Sequence, residues 1–190
     1  TPDLLVAVVQ DITARKNLEA RLAHDARHDA LTGLPNRLLF QDRFTQVLDS
    51  ARRHGWRAAV LYLDLDGFKA VNDLHGHAAG DLLLRQVAQR LQGCVRAEDT
   101  VSRFGGDEFG LVLATADAVD DCARVAAKVL HVLALPFDLD GVRVQVSASV
   151  GAALYPDHGD DIATLVARAD SAMYAAKKAG KNRFCYYAPD

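Results

Sequence analysis

Apolar positions along the chain fall into two periods, and the switching between them predicts a series of strands and helices. The first apolar run, residues 4–9 (LLVAVV), is short, continuous and Val-rich, the pattern of a buried strand. Asp11 and Thr13 then offer capping side chains, and the polar stretch 15–29 carries Leu18 and Leu22 on one thin stripe. That stripe is too narrow for a core helix. It predicts a connecting or coiled-coil helix at a domain junction; the plainer reading is a frayed surface helix.

The globular body is placed from Asp29 onward. Thr32-Gly33-Leu34-Pro35-Asn36 is a turn cluster, and Asn36 is a predicted N-cap for a helix over Arg37–His54. Ala58–Leu65 is continuously apolar until it ends on carboxylates, which predicts a central strand. Leu83, Leu84, Val87, Ala88 and Leu91 give helical period to Gly80–Cys94. Short strands over Thr100–Phe104 and Phe109–Ala114 flank Gly105-Gly106-Asp107-Glu108, a predicted hairpin. A helix over about Ala118–Ala134 precedes Pro136. Asp140-Gly141 signals a second hairpin, joining a short strand to one alternating strand over 142–154. A helix over Asp161–Ala179, stopped by Gly180, and a strand over Arg183–Tyr187 complete the pattern. This order predicts an α/β sandwich, a sheet with antiparallel pairs and helices on its faces.

Composition narrows the function classes. A chain of 190 residues is one domain with a short attachment. Lys and Arg number 22 against 25 Asp and Glu, a net charge of −3, which argues against a non-specific nucleic-acid binder but leaves room for a local basic cluster. Cys94, Cys122 and Cys185 are far apart and form no metal-binding pair, so they are expected to be inert thiols in a reducing cytosol. The apolar runs around Leu61 and Leu130 fall short of the roughly 20 residues a membrane span needs. The start has no basic region and no cleavage site, so no signal peptide is expected. Lacking Met, it is read as cut from something longer.

Chemistry concentrates in two places. In Leu63–Asp81 (LDLDGFKAVNDLHGHAAGD), Asp64 ends an apolar strand, where a carboxylate is costly unless paired or bound to a cation. Asp64 and Asp66 are expected to project to opposite sides, so that sharing one ion would need the bend Gly67 supplies. A glycine bend opening a helix presents N–H groups to an anion, and Lys69 adds a mobile positive charge. Alone, the segment is equally a loop with solvated carboxylates. The second place, Arg103–Phe109, sets Asp107 and Glu108 side by side in a tight turn, where they repel each other for no structural gain. With Asp64 they make a site for one or two hard divalent ions with oxygen ligands, Mg²⁺ above all. Lys177, Lys178, Lys181 and Arg183 then read as a triphosphate clamp or as ordinary cations at a helix C-terminus.

Taken together, GGDEF, DLDGFKAVND…HGHAAGD, DALTGLPNR, SVGAALYP and YAAKKAGKN resemble the GGDEF domain, the diguanylate cyclase family, in the right order over about residues 29–187. The upstream VVQDITARKNLEARL is similar to the end of a PAS sensory domain running into a signalling helix. The resemblance divides the chain into residues 1–28, sensory end and connector, and 29–190, catalytic domain. It implies a palm-like fold similar to nucleotide cyclases and polymerases. It also implies a cytoplasmic location within a bacterial signalling protein, and a homodimer without nucleic-acid or membrane contact from this fragment.

The resemblance further implies an activity. Two domains, each holding one GTP, meet and join the nucleotides into cyclic di-GMP with release of two pyrophosphates. Asp64, the carbonyl of Leu65 and Asp107 match the ligands of two Mg²⁺ (or Mn²⁺) ions, with Glu108 beside them as a candidate general base. Gly67, Phe68 and Lys69 match the phosphate loop. Lys177 and Lys181 match distal phosphate contacts, the second being more often Arg in the family. Asn72 and Asp81 match the guanine readers: a carboxylate accepts from N1–H and the 2-amino group, which adenine lacks. Without the resemblance both would be taken for helix caps. Arg96 and Asp99 match an inhibitory RxxD site for the product, where an Arg fork suits guanine O6 and N7; the alternative is a surface Arg–Asp ion pair. His75 and His77 fit structural hydrogen bonds better than zinc. Trp56 and Met173 read as packing. The runner-up function is a non-catalytic module that senses GTP or cyclic di-GMP. A purely dimerising scaffold leaves the clustered acids unexplained.

Overall fold

The computed structural model describes residues 13–115 and 118–189, so the predicted strand over 4–9 lies outside the described residues. The elements run α1 (Thr13–Asp25), α2 (Arg37–His54), β1 (Arg57–Asp66), α3 (Phe68–His75), α4 (His77–Gln92), β2 (Thr100–Gly105) and β3 (Glu108–Thr115). They continue with α5 (Ala118–Ala134), β4 (Phe137–Leu139), β5 (Val142–Val144), β6 (Ser147–Tyr155), α6 (Ile162–Lys178) and β7 (Arg183–Tyr186). One sheet has the order β2-β3-β1-β6-β7, antiparallel throughout except for the parallel β6–β7 pair; β4 and β5 form a separate ribbon.

Strand β1 is central because both of its faces are covered. Ala59, Leu61, Leu63 and Leu65 enter one core with Leu83, Leu84, Val87 and Leu91 of α4 and Cys122, Ala126 and Val129 of α5. Ala58, Val60 and Tyr62 enter a second core with Phe40, Phe44 and Leu48 of α2 and Leu165, Ala169 and Met173 of α6. A strand buried on both sides has no polar face to alternate with, hence the continuous apolar run. Carboxylates begin where the strand leaves the cores. The mostly antiparallel sheet with helices on both faces is the architecture expected from the sequence.

Local signals account for the element ends. Asn36 caps α2, its Oδ1 accepting from the N–H groups of Leu38 and Leu39 at 3.0 and 3.1 Å. Asp140 and Gly141, at φ 54° and 90°, turn the β4–β5 hairpin. The strand expected over 142–154 is in fact two: β5 pairs with β4, and after Gln145 and Val146 the chain joins the main sheet as β6 against β1. Alternation persists across the break, but the hydrogen-bonding partner changes. The helix expected to open at the Gly67 bend is α3. On α1, Leu18 and Leu22 are exposed, as a narrow stripe implies. Among the described residues no helix is long and apolar enough to cross a membrane.

Candidate active site

The end of β1 places Asp64 between Glu108 of β3 and Ser149 of β6. Its carboxylate is largely covered, and Oδ2 receives the Lys177 ammonium at 2.8 Å. Burial pushes the Asp64 carboxyl above the ordinary carboxylate range, the Lys177 hydrogen bond opposes the rise, and the neighbouring charge of Asp107 adds to it. Among the described residues, the one cation the structure shows against it is the Lys177 ammonium. Asp66 does not leave on the opposite side, as expected from the sequence. Strand residues two apart share a face, and both aspartates point toward the α6 end. What separates them is satisfaction: Asp66 accepts from Ser149 Oγ, Ser147 Oγ and the Asn182 N–H.

The β2–β3 turn brings the second carboxylate in. Gly105 and Gly106 take φ of 130° and 50°, values that side chains rarely adopt. Arg103 clasps the turn, donating from Nε and a terminal nitrogen to the Gly106 carbonyl at 3.1 and 2.8 Å. Its other terminal nitrogen reaches both oxygens of Asp29 at 2.8 and 2.9 Å. Hydrogen bonds from Thr32 and Arg103 hold the Asp29 carboxyl below its ordinary value even though burial alone would raise it. The Asp107 carbonyl accepts the Leu65 N–H at 3.3 Å, stitching turn to strand end.

Asp107 and Glu108 diverge, so the two acids do not act as one pair. Glu108 faces α2, where its Oε2 lies 3.7 Å from an Arg37 terminal nitrogen. The same Arg37 nitrogen donates to the Tyr62 hydroxyl at 3.2 Å, and the guanidinium covers the Phe104 ring at 4.6 Å. Sequence reasoning missed this Arg37–Tyr62 support. Tyr62 stands two residues before Asp64 on the same strand face, a signal that was available.

Asp64, Leu65, Gly67, Phe68, Lys69, Asp107, Lys177 and Lys181 line one open cleft of ≈ 420 Å³, together with Asp66, Ala70 and Asp73. Gly67, at φ 88°, is the N-cap of α3 and offers no side chain, so the first amides of the helix are left to an anion. Of the four C-terminal cations only Lys177 and Lys181 reach this cleft. Lys178 lies over the Tyr174 ring at 4.5 Å, and Arg183 Nε donates to the Lys181 carbonyl at 3.1 Å.

Asn72 and Asp81 lie at the α3–α4 junction, outside the residues that line the cleft. Neither is a helix cap, since α3 and α4 are both capped by glycines, Gly67 and Gly76. A Cβ on Gly80 would come within 1.9 Å of Asn72 Oδ1, so only glycine admits Asn72 here. That Oδ1 is buried and has no hydrogen-bond partner among the described residues, while Asp81 is exposed beside it.

Arg96 and Asp99 lie elsewhere, at the turn before β2. They are not an Arg–Asp side-chain pair: Asp99 accepts from the Arg96 backbone N–H at 3.0 Å and from the Ala114 N–H at 3.4 Å. Burial pushes the Asp99 carboxyl upward against those two bonds. The Arg96 guanidinium instead lies 3.5 Å from Asp121 of α5.

The donor set decides which metal the cleft suits. Among the described residues no three His, Cys, Asp or Glu side chains converge on a point, and His75 and His77 are exposed. Zinc is thus not provided for. Two carboxylates and a nearby backbone carbonyl fit Mg²⁺, which keeps waters and completes its shell with substrate phosphates. Burial pushes the Cys94 thiol up, and that of Cys122 up to about 12.

Comparison with known proteins gives this geometry its family. Residues 26–183 match the family described as "Diguanylate cyclase, GGDEF domain". The chain is 46% identical over 160 residues to diguanylate cyclase TpbB of Pseudomonas aeruginosa, covering 84% of this chain and 37% of that one. It is 40% identical over 186 residues to cyclic di-GMP phosphodiesterase PdeR of Escherichia coli, covering 98% of this chain and 28% of the relative. It therefore spans 28% to 37% of the length of these two curated relatives. The solved GGDEF domain of TpbB superposes with TM-score 0.82 at 41% identity, covering 84% of this chain and 99% of that one. The coiled coil and GGDEF domain of DgcB from Caulobacter crescentus, solved in complex with cyclic di-GMP, gives 0.80 at 28% identity, covering 91% of each chain. The matched span holds the β2–β3 hairpin, the glycine-started α3, Lys177 and Lys181, and the chain belongs to the GGDEF-domain family of diguanylate cyclases.

Proposed function

We propose that this domain is an active diguanylate cyclase, one half-site of a homodimer in which each copy holds one GTP. The supporting observation is the meeting of Asp64 and Asp107 with Lys69, Lys177 and Lys181 in one cleft beside the bare N-terminus of α3. Acids alone would suit a structural ion, and lysines alone any anion. Their combination suits a metal–triphosphate.

Asp64 and Asp107, with the Leu65 carbonyl, would hold Mg²⁺ or Mn²⁺, two ions per half-site by family resemblance. When bound, such ions lower the cost of the attacking alkoxide and of charge on the α-phosphate. The amides of Gly67 and Phe68 and the Lys69 ammonium bind phosphate oxygens at the helix start. Lys177, paired with Asp64 here, would neutralise charge on the leaving pyrophosphate, and Lys181 would add a second charge. Asp81 accepts from guanine N1–H and the 2-amino group. Asn72, whose Oδ1 is sealed against Gly80, turns its amide NH₂ to a guanine acceptor. The 3′-oxygen of one GTP then bonds to the α-phosphorus of the other as the bond to pyrophosphate breaks, and the reciprocal step closes the ring. Glu108, held by Arg37, is the candidate base for the 3′-hydroxyl proton.

Cyclic di-GMP is proposed to inhibit at Arg96 and Asp99. The Arg96 fork would exchange Asp121 for guanine O6 and N7, and Asp99 would accept guanine donors at the expense of its backbone bonds. The second reading, a binding module without turnover, draws on relatives such as PdeR that are named for phosphodiesterase activity. Incubation with Mg²⁺ and GTP, or with ATP, followed by chromatography separates the two. Cyclic di-GMP from GTP and no dinucleotide from ATP supports the cyclase. GTP bound but unconsumed supports the module.

A further inference from the structure

Asp66 is 8% exposed, a charged side chain at the edge of the core. Its Oδ1 accepts from Ser149 Oγ at 2.9 Å, and its Oδ2 from Ser147 Oγ at 2.9 Å and from the Asn182 N–H at 3.1 Å. The serines tie β1 to β6. The third bond crosses to the α6–β7 loop, where Gly180, Lys181 and Asn182 have consecutive φ values of 113°, 62° and 45°. For glycine this costs nothing, but Lys181 and Asn182 are held in the left-handed region, which side chains enter at a cost that the surroundings must offset. The Lys181 N–H is fixed on the Ala176 carbonyl at 3.1 Å, so the Asp66–Asn182 bond anchors the other side of the same residue.

We propose that Asp66 is a positioning residue. Through the Asn182 amide it holds Lys181 in the left-handed conformation that carries its ammonium group into the phosphate cleft. This rests on the cyclase reading for the identity of the phosphate ligand. Three roles for Asp66 predict different outcomes when it becomes Asn, which keeps the shape but replaces one acceptor oxygen with a donor. If Asp66 positions Lys181, triphosphate binding weakens. If it acts only as a negative charge near the cleft, its removal lets triphosphate bind more tightly. If it only braces the sheet, stability falls and binding stays as it was.

The test is calorimetric titration of the non-cleavable α,β-methylene analogue of GTP with Mg²⁺. Asp66→Asn is expected to weaken binding about tenfold, the scale of a lost charge-assisted hydrogen bond. In a Lys181→Ala background the same change is expected to have no further effect. Ser149→Ala, which removes a hydroxyl from Asp66 without touching the loop, is expected to lower stability and leave affinity within about twofold. Unchanged or tighter binding by Asp66→Asn, an undiminished effect without the Lys181 ammonium, or equal weakening by Ser149→Ala would each overturn the assignment. Wild-type protein that ignores the analogue removes the GTP reading and this role together; wild type that binds it without the pattern above removes this role alone. Should Asp66→Asn not fold, hydrogen exchange in the wild type decides. Protection of the Asn182 amide comparable to β1 is expected, and exchange at the rate of an open loop contradicts the anchor.

Discussion

The cleft below β1 and the Arg96–Asp99 turn each hold a partly buried aspartate that burial pushes upward, yet they satisfy it differently. In the cleft, the partly buried Asp64 takes its countercharge from Lys177, and the α3 amides have no side-chain cap. At the turn, Asp99 is already occupied by two backbone N–H groups and Arg96 leans on Asp121. The first region leaves the α3 amides without a side-chain acceptor. The second is complete as it stands, so a ligand there must displace existing bonds. On the proposed cyclase reading the first is the substrate site, and the second would take product only by displacing those bonds.

The largest expected effect breaks the cleft. Asp64→Asn removes the charge that Lys177 and a metal share, and cyclic di-GMP synthesis should fall roughly a thousandfold in a radioactive GTP assay. Next comes the support beneath both regions. Arg103 is 9% exposed and its partner Asp29 20%. Arg103→Ala strands that carboxylate and frees the Gly106 carbonyl, so urea unfolding should show a loss of about 3 kcal/mol. At the turn, Arg96→Ala should raise the product concentration needed for half inhibition about tenfold, the value of one forked guanine contact. Unchanged inhibition would leave the turn with a structural role only.

The smallest effect is one of pH. The Asp29 carboxyl titrates lower folded than unfolded, so its contribution is fully present above its ordinary 3.8 and is lost as pH falls below that through the lowered folded value. The acid limb of stability in Asp29→Asn should be flatter than in wild type in that window. An identical limb would mean the Arg103 clasp contributes nothing there.

The comparison also explains what could be read in the chain. Continuous apolar runs, the Asn36 cap and the Asp140-Gly141 turn each act through neighbours in sequence, so most elements from Arg37 onward were legible, though not the break between β5 and β6. Pairings between distant residues were not. Nothing in the sequence says that Arg103 reaches Asp29, that Arg37 draws Glu108 away from Asp107, or that Asp99 prefers backbone amides to the Arg96 side chain. Motif resemblance grouped Asp64, Asp107, Lys69, Lys177 and Lys181, and the structure lines one cleft with them; their chemistry there belongs to the proposal. Asp66 was misplaced through the strand period itself, and its three donors come from β6 and the loop before β7, far along the chain.

The most direct measurement of the central claim is product formation by Asp107→Ala beside wild type, with GTP and Mg²⁺ supplied to both. The Asp107 backbone carbonyl keeps its bond from Leu65, so the variant should fold like wild type by thermal melting while losing a carboxylate from the cleft. Cyclic di-GMP with two pyrophosphates from wild type, and none from the folded variant, is the predicted result. Comparable synthesis by both would contradict the metal–triphosphate cleft.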